Sequence, residues 1–196
     1  PFMMKHCFQF SSLSSIPTVL TIHNAQYQGW MSWEKGNYIP AWDTWKWGLL
    51  DWGNTINPLA CALKTADKVN TVSPGYMEEL MQNANGLEPL FHQEWAKCSG
   101  IINGIDYVVW NPETDSYILD NFSIKDFKAG KQLNKKKLCD DFDMDINLPL
   151  FIFIGRLVGE KSADLLAPAI SSAFEENGTV FNILILGSGE PSVEHA

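Results

Sequence analysis

Leu150-Phe151-Ile152-Phe153-Ile154-Gly155-Arg156 is the stretch that decides the fold. An uninterrupted apolar run follows Pro149 and ends at a glycine and an arginine. A strand with one solvated face alternates apolar and polar residues, so a continuous run reads as a strand covered on both faces. The same order of apolar run, turn and helical stretch recurs outward from it. Thr18-Val19-Leu20-Thr21-Ile22 ends at His23-Asn24, Lys68-Val69-Asn70-Thr71-Val72 ends at Ser73-Pro74, and Val180–Leu186 runs into Gly187-Ser188-Gly189. Ser73-Pro74 and Asn57-Pro58 each set a capping side chain before a proline at the first helical position, the second pair opening a helix over Leu59–Ala66. Buried strands alternating with helices predict an α/β layered fold. Its functional groups are expected at the carboxyl ends of the strands.

The composition narrows the partners. Hydrophobic residues make up 45% of the 196 and charged residues 19%, enough apolar content for a buried core. The formal charge of −9 and the lack of a basic stripe exclude nucleic acid as the expected ligand, whereas a neutral polysaccharide fits. Cys7, Cys61, Cys98 and Cys139 are far apart with no Cys-x-x-Cys pair, which reads as reduced thiols in a cytoplasmic protein rather than a zinc site or disulfide framework. No apolar run reaches the length of a membrane span. The opening Pro1-Phe2-Met3-Met4-Lys5 reads as the middle of a protein.

Between about Ile118 and Leu148 hydrophobics thin out, and Lys135-Lys136-Lys137 is followed by Asp140, Asp141, Asp143 and Asp145. That charge run reads as a solvated helix and linker. The expected organisation is a first domain over 1–120, a linker helix region over 121–148 and the start of a second domain over 149–196.

Arg156, the sole arginine, follows a strand end, and Lys161 comes shortly before an expected helix. A guanidinium that forks onto two phosphate oxygens, an ammonium and a helix N-terminus together make an anion site. The competing reading is a surface arginine paired with Glu160. His23 stands at another strand end, where it serves as an acid/base, as a donor to a sugar, or as a loop residue. Asn103-Gly104 reads by default as a tight turn. Gly187-Ser188-Gly189 starts a dinucleotide fingerprint, but Ser192 takes the place of the third glycine. What remains there is a close approach of backbone to a ligand. Trp30, Trp33, Trp42, Trp45, Trp47 and Trp52 crowd one stretch, which reads as core or interface ahead of a sugar-stacking platform.

In order along the chain, Thr21-Ile22-His23-Asn24-Ala25-Gln26-Tyr27-Gln28-Gly29, Ile56-Asn57-Pro58-Leu59, Thr71-Val72-Ser73-Pro74, Ser99–Asp106 with Trp110–Asp115, Gly155-Arg156-Leu157 with Lys161, and Leu186–Gly189 resemble glycogen/starch synthases. The resemblance implies a GT-B architecture of two Rossmann-like parallel-sheet domains, both incomplete in this chain. It also implies retaining glucosyl transfer from ADP-glucose, or UDP-glucose, to the non-reducing end of an α-1,4-glucan. His23 then lines the donor-glucose pocket, with Asn24 beside it and Asn103 facing the same cleft. Arg156 and Lys161 grip the nucleotide diphosphate, so no metal or cofactor is expected, and Gly187 and Gly189 approach the donor. The family's Lys-Thr-Gly-Gly-Leu loop and the Glu-rich donor region are not in this chain, so the segment alone is expected not to turn over. Ser162 stands where many members have glycine and is expected to cap the following helix. Pro168 is expected to kink that helix or mark an irregular turn. The competing readings are a catalytically dead glucan-binding scaffold on this fold, another retaining transferase or a phosphorylase, and a Rossmann dehydrogenase.

Overall fold

The computed structural model describes residues 1–195. They form two compact units, Pro1–Ile105 and a second that begins at Asp106. The first unit opens with helix α1 (Phe2–His6) and strand β1 (Val19–Ile22). Two 3₁₀ segments, Trp33–Tyr38 and Thr44–Leu49, lead to a small antiparallel pair, β2 (Asp51–Trp52) and β3 (Thr55–Ile56). Helix α2 (Pro58–Thr65), strand β4 (Lys68–Thr71), helices α3 (Pro74–Gln82) and α4 (Glu88–Gln93), and strand β5 (Cys98–Gly100) complete it.

The main sheet has the order β1-β4-β5 and is parallel throughout. Ile22 pairs with Thr71 and Thr71 with Gly100, so all three strands end level and their following loops share one edge. Helices α2 and α3 start where the capping signals put them. The Asn57 side chain accepts the Ala60 N–H and the Ser73 hydroxyl accepts the Tyr76 N–H, each ahead of its proline. Leu63, Val69, Met77, Leu80, Leu90 and Phe91 fill the core against the sheet.

Two polar side chains lie inside this unit. Gln28 and Asn57 are 1% and 0% exposed, and burying either is costly unless every polar atom finds a partner. The Asn57 amide donates to Gln28 Oε1 at 2.7 Å. The Gln28 amide donates to the carbonyls of Ala84 and Asn85 at 3.2 and 3.0 Å. The pair therefore ties the loop after β1, the start of α2 and the α3–α4 connection into one piece.

The second unit carries helix α5 (Phe127–Asp141), strand β6 (Leu150–Ile154), helix α6 (Leu166–Asn177), strand β7 (Asn182–Leu186) and helix α7 (Pro191–Glu194). β6 and β7 pair in parallel along their full length. Their apolar faces are not covered on both sides as the unbroken runs imply, with Phe151 58% and Ile154 72% exposed. The lysine run lies on α5, where Lys136 and Lys137 bridge to Asp140 and Asp141 one turn on, a solvated helix face. Pro168 falls in the first turn of α6, where its missing N–H breaks no bond, so α6 is not interrupted. Among the described residues no helix is long and apolar enough to cross a membrane.

Asn57→Ala removes a helix cap and leaves Gln28 Oε1 buried without a donor. It is expected to cost about 3 kcal/mol in urea denaturation, against about 1 kcal/mol for Ser73→Ala, which loses a cap alone. Equal losses would show that the buried pair contributes nothing.

Candidate functional site

In the first unit the candidate residues collect at the carboxyl edge of the sheet. His23 follows the last residue of β1 and its side chain is exposed. The loop carrying it is pinned from both sides. Asn24 Oδ1 accepts the Gln26 N–H at 2.8 Å, which closes a tight side-chain turn, and the Ala25 N–H donates to the Tyr76 hydroxyl at 3.0 Å. Tyr76 sits in the first turn of α3, which the Ser73 cap fixes at 2.9 Å. The Asn24 side chain is thus committed to its own turn. Asn103 follows β5, whose next residue, Ile101, donates its N–H to the Thr71 carbonyl at 2.9 Å. With Thr21, Thr71, Val72, Ile102 and Gly104, Asn103 lines a cavity of about 250 Å³. The edge gathers His23, Asn24 and Asn103, but only Asn103 lines that cavity.

Tyr76 is the positioning residue that the sequence did not reveal. Its place two residues past Pro74 was legible, but nothing local says that its hydroxyl reaches the loop after β1.

In the second unit the β6–β7 ladder continues past the strands. The Gly155 N–H donates to the Leu186 carbonyl at 3.1 Å, Leu157 N–H to Ser188 at 2.9 Å, and Glu190 N–H back to Leu157 at 2.9 Å. The two loops after the strands therefore run side by side at backbone distance. A Cβ at Gly187 would lie 2.0 Å from the Gly155 carbonyl oxygen, and one at Gly189 would lie 2.2 Å from that of Leu157. The close approach that these glycines permit is to the chain's own loop.

Arg156 projects from the middle of that paired loop, 62% exposed, and its guanidinium donates to Glu160 Oε2 at 2.9 Å. The ion pair weighed as the competing reading is therefore present. Lys161, also exposed, ends a 3₁₀ turn over Gly159–Lys161. A second 3₁₀ turn intervenes before α6, so the helix N-terminus lies farther along the chain than expected. Ser162 caps nothing with its side chain. It takes a left-handed conformation, φ +54°, that costs an L-residue about 1 kcal/mol and a glycine little. This is the physical reason for a glycine after the lysine.

The tryptophan stretch does not form core as a whole. Trp30, Trp45 and Trp47 are more than half exposed, and Trp33, edge-on to Trp47 at 6.5 Å, is 39% exposed. Trp42 packs on Phe2, and Trp52 donates to the Gly86 carbonyl at 2.8 Å. Among the described residues no His, Cys, Asp and Glu side chains group as a metal site.

Comparison with known proteins follows the same elements. A family profile for the starch synthase catalytic domain matches residues 1–93. A glycogen synthase from Flavobacterium johnsoniae is 47% identical over 99% of this chain and 41% of its own length. One from Exiguobacterium sibiricum is 35% identical over 98% of this chain and 41% of its own length. Among solved structures, the catalytic domain of Starch Synthase IV from Arabidopsis thaliana bound to ADP and acarbose matches with a TM-score of 0.82. That match has 28% identity and covers 98% of this chain and 41% of the other. The chain thus spans about two fifths of the length of these relatives and has the α/β, parallel-sheet fold of a GT-B catalytic domain.

Ser162→Gly is expected to raise stability by about 0.5–1 kcal/mol. Gly187→Ala is expected to lower it by about 2 kcal/mol or more, because the obstructing atom is backbone. Both are read by thermal denaturation, and a neutral Gly187→Ala would show that the two loops are not held together.

Proposed function

We propose that the chain belongs to the glycogen/starch synthases it resembles, and that the protein carrying it transfers glucose from a nucleotide sugar to the non-reducing end of an α-1,4-glucan. ADP-glucose is the favoured donor and UDP-glucose the second, and the anomeric configuration is retained. The observation that carries the reading is the sole arginine standing exposed at a parallel strand's carboxyl end, on a loop fixed by backbone pairing. The ADP and acarbose in the Arabidopsis relative support a nucleotide diphosphate and a glucan as ligands here.

Arg156 and Glu160 form an exposed ion pair, worth about 1 kcal/mol or less. A diphosphate, with its greater charge and its match to the guanidinium fork, displaces that carboxylate. Lys161 adds a point charge. As the bond from glucose to the diphosphate breaks, negative charge grows on the leaving group, and two positioned cations stabilise it most at that moment. No cofactor is assigned to this step. His23 contacts the donor glucose, Asn24 holds the His23 loop in place, and Asn103 contacts sugar hydroxyls from its cavity. Gly187 and Gly189 let the two loops pack at backbone distance, and the main chain so held faces the donor. The segment alone does not turn over, and the protein works in the cytoplasm with its cysteines reduced.

Full-length protein carrying this chain, given labelled ADP-glucose or UDP-glucose and a glycogen primer, is expected to place label in α-1,4-linked glucan. Arg156→Ala is expected to lower kcat about 100-fold or more. Near-normal turnover in that variant contradicts the clamp. His23→Ala is expected to impair use of the nucleotide sugar more than binding of ADP, and equal loss of both would make His23 a structural residue. No transfer from either donor, with glycogen binding retained, would favour a glucan-binding scaffold.

A further inference from the structure

Successive residues of a strand point to opposite faces of the sheet. On β4, Val69 and Thr71 are buried, and Val69 packs with the helices, so Asn70 stands on the other face, half-buried. The register sets Thr21 of β1 on one side of Asn70 and Ser99 of β5 on the other, a polar row across the sheet. Asparagine is a poor strand former, and nothing local favours it in the central strand of a parallel sheet. Thr21 and Asn70 line the same cavity of about 250 Å³ as Asn103. Three segments thus supply it with polar side chains: β1, β4 and the loop after β5.

The hydrogen bonding of these groups selects the ligand. The Thr71 hydroxyl is committed to the Ser73 carbonyl at 3.1 Å, and that of Ser99 reaches the Val69 carbonyl at 3.4 Å. Among the described residues the side chains of Thr21, Asn70 and Asn103 make no hydrogen bond within the chain. One hydroxyl and two amides each donate and accept, which matches a ligand whose own hydroxyls do both. Among the described residues no charged side chain lines the cavity, so a phosphate finds no counter-charge and a metal ion no carboxylate. Drug-sized ligands take roughly 300–1,000 Å³, so this smaller space suits one sugar ring better than a nucleoside or several rings.

We propose that Asn70 and Thr21 are specificity-determining residues that, with Asn103, hold the hydroxyls of the glucose being transferred. This rests on the synthase reading, which supplies a nucleotide sugar as the donor. Thr21 lies two residues before His23, so the strand that leads to the histidine also presents a hydroxyl to the ring. Both side chains stand on strands, which fix them more firmly than a loop would. A donor that lacks the matching hydroxyl leaves one of them unpaired, and the site discriminates against it.

The test is isothermal titration of the full-length protein with three kinds of ligand, turnover being measured in parallel. These are the better donor of ADP-glucose and UDP-glucose, its free nucleoside diphosphate, and analogues of that donor each lacking one ring hydroxyl. Wild type is expected to bind at least one analogue about five- to tenfold more weakly than the intact donor, the scale of one hydrogen bond. Asn70→Ala is expected to weaken donor binding by a similar factor, to lose that discrimination and to bind the free diphosphate unchanged. Thr21→Val, which keeps the shape without the hydroxyl, is expected to lose discrimination against an analogue in the same way. Neither side chain has a partner to lose within the chain, so both variants are expected to keep the wild-type Tm. A wild type that binds every analogue as tightly as the donor overturns the proposal. Wild-type discrimination in both variants overturns it too, as does equal loss of donor and free diphosphate, the mark of a structural role. Turnover intact with discrimination independent of both residues is failure of this proposal alone. Absent turnover with discrimination that depends on Asn70 is failure of the synthase reading alone.

Discussion

The first unit depends on one buried amide pair. Gln28 and Asn57 have given up water, and each polar atom must be matched within the protein. Gln28 Oε1 takes the Asn57 amide, the Gln28 amide reaches Ala84 and Asn85, and Asn57 Oδ1 caps α2. The Gln28 carbonyl accepts the Leu59 N–H at 3.2 Å as well. These bonds fix three chain segments distant in sequence against one another. That arrangement sets where the loop between β1 and Gln28 runs, and hence where His23 stands. Gln28, Asn57 and Tyr76 are therefore scaffold, and what they fix is the loop that carries the histidine.

The second unit meets the same problem of placement with backbone alone. Its two loops are laced by main-chain bonds beyond the strand ends, which is possible only because Gly187 and Gly189 present no Cβ to the opposing carbonyls. Arg156 gains a fixed origin without being buried, so its charge is never desolvated and its tie to Glu160 stays weak. A charge held by a rigid base and a weak partner is ready to change partners. That is the property a diphosphate clamp needs.

The strands and helix starts were legible because they rest on local chemistry. The apolar runs mark β1, β4, β6 and β7 to within about two residues, and Asn57-Pro58 and Ser73-Pro74 cap as their side chains dictate. Strand β5 was not legible as a strand, since Cys98-Ser99-Gly100 is short and polar and is strand only because β4 lies beside it. Of the two places the tryptophan stretch was expected to fill, core or interface, the core takes only part of it, because short 3₁₀ turns give large rings little core to enter. For the site, sequence located Arg156, Lys161 and His23 at their strand ends and loops. It could not show Tyr76 reaching the His23 loop or the left-handed backbone of Ser162, because each is set by tertiary packing.

The central claim is that Arg156 and Lys161 form a diphosphate clamp in a nucleotide-sugar transferase. The most direct measurement is a crystal structure of the full-length protein with ADP bound. The account predicts both cations within hydrogen-bonding distance of the diphosphate and the Glu160 carboxylate released from the guanidinium. ADP bound away from both side chains, or Arg156 still paired with Glu160 beside a bound diphosphate, would contradict it.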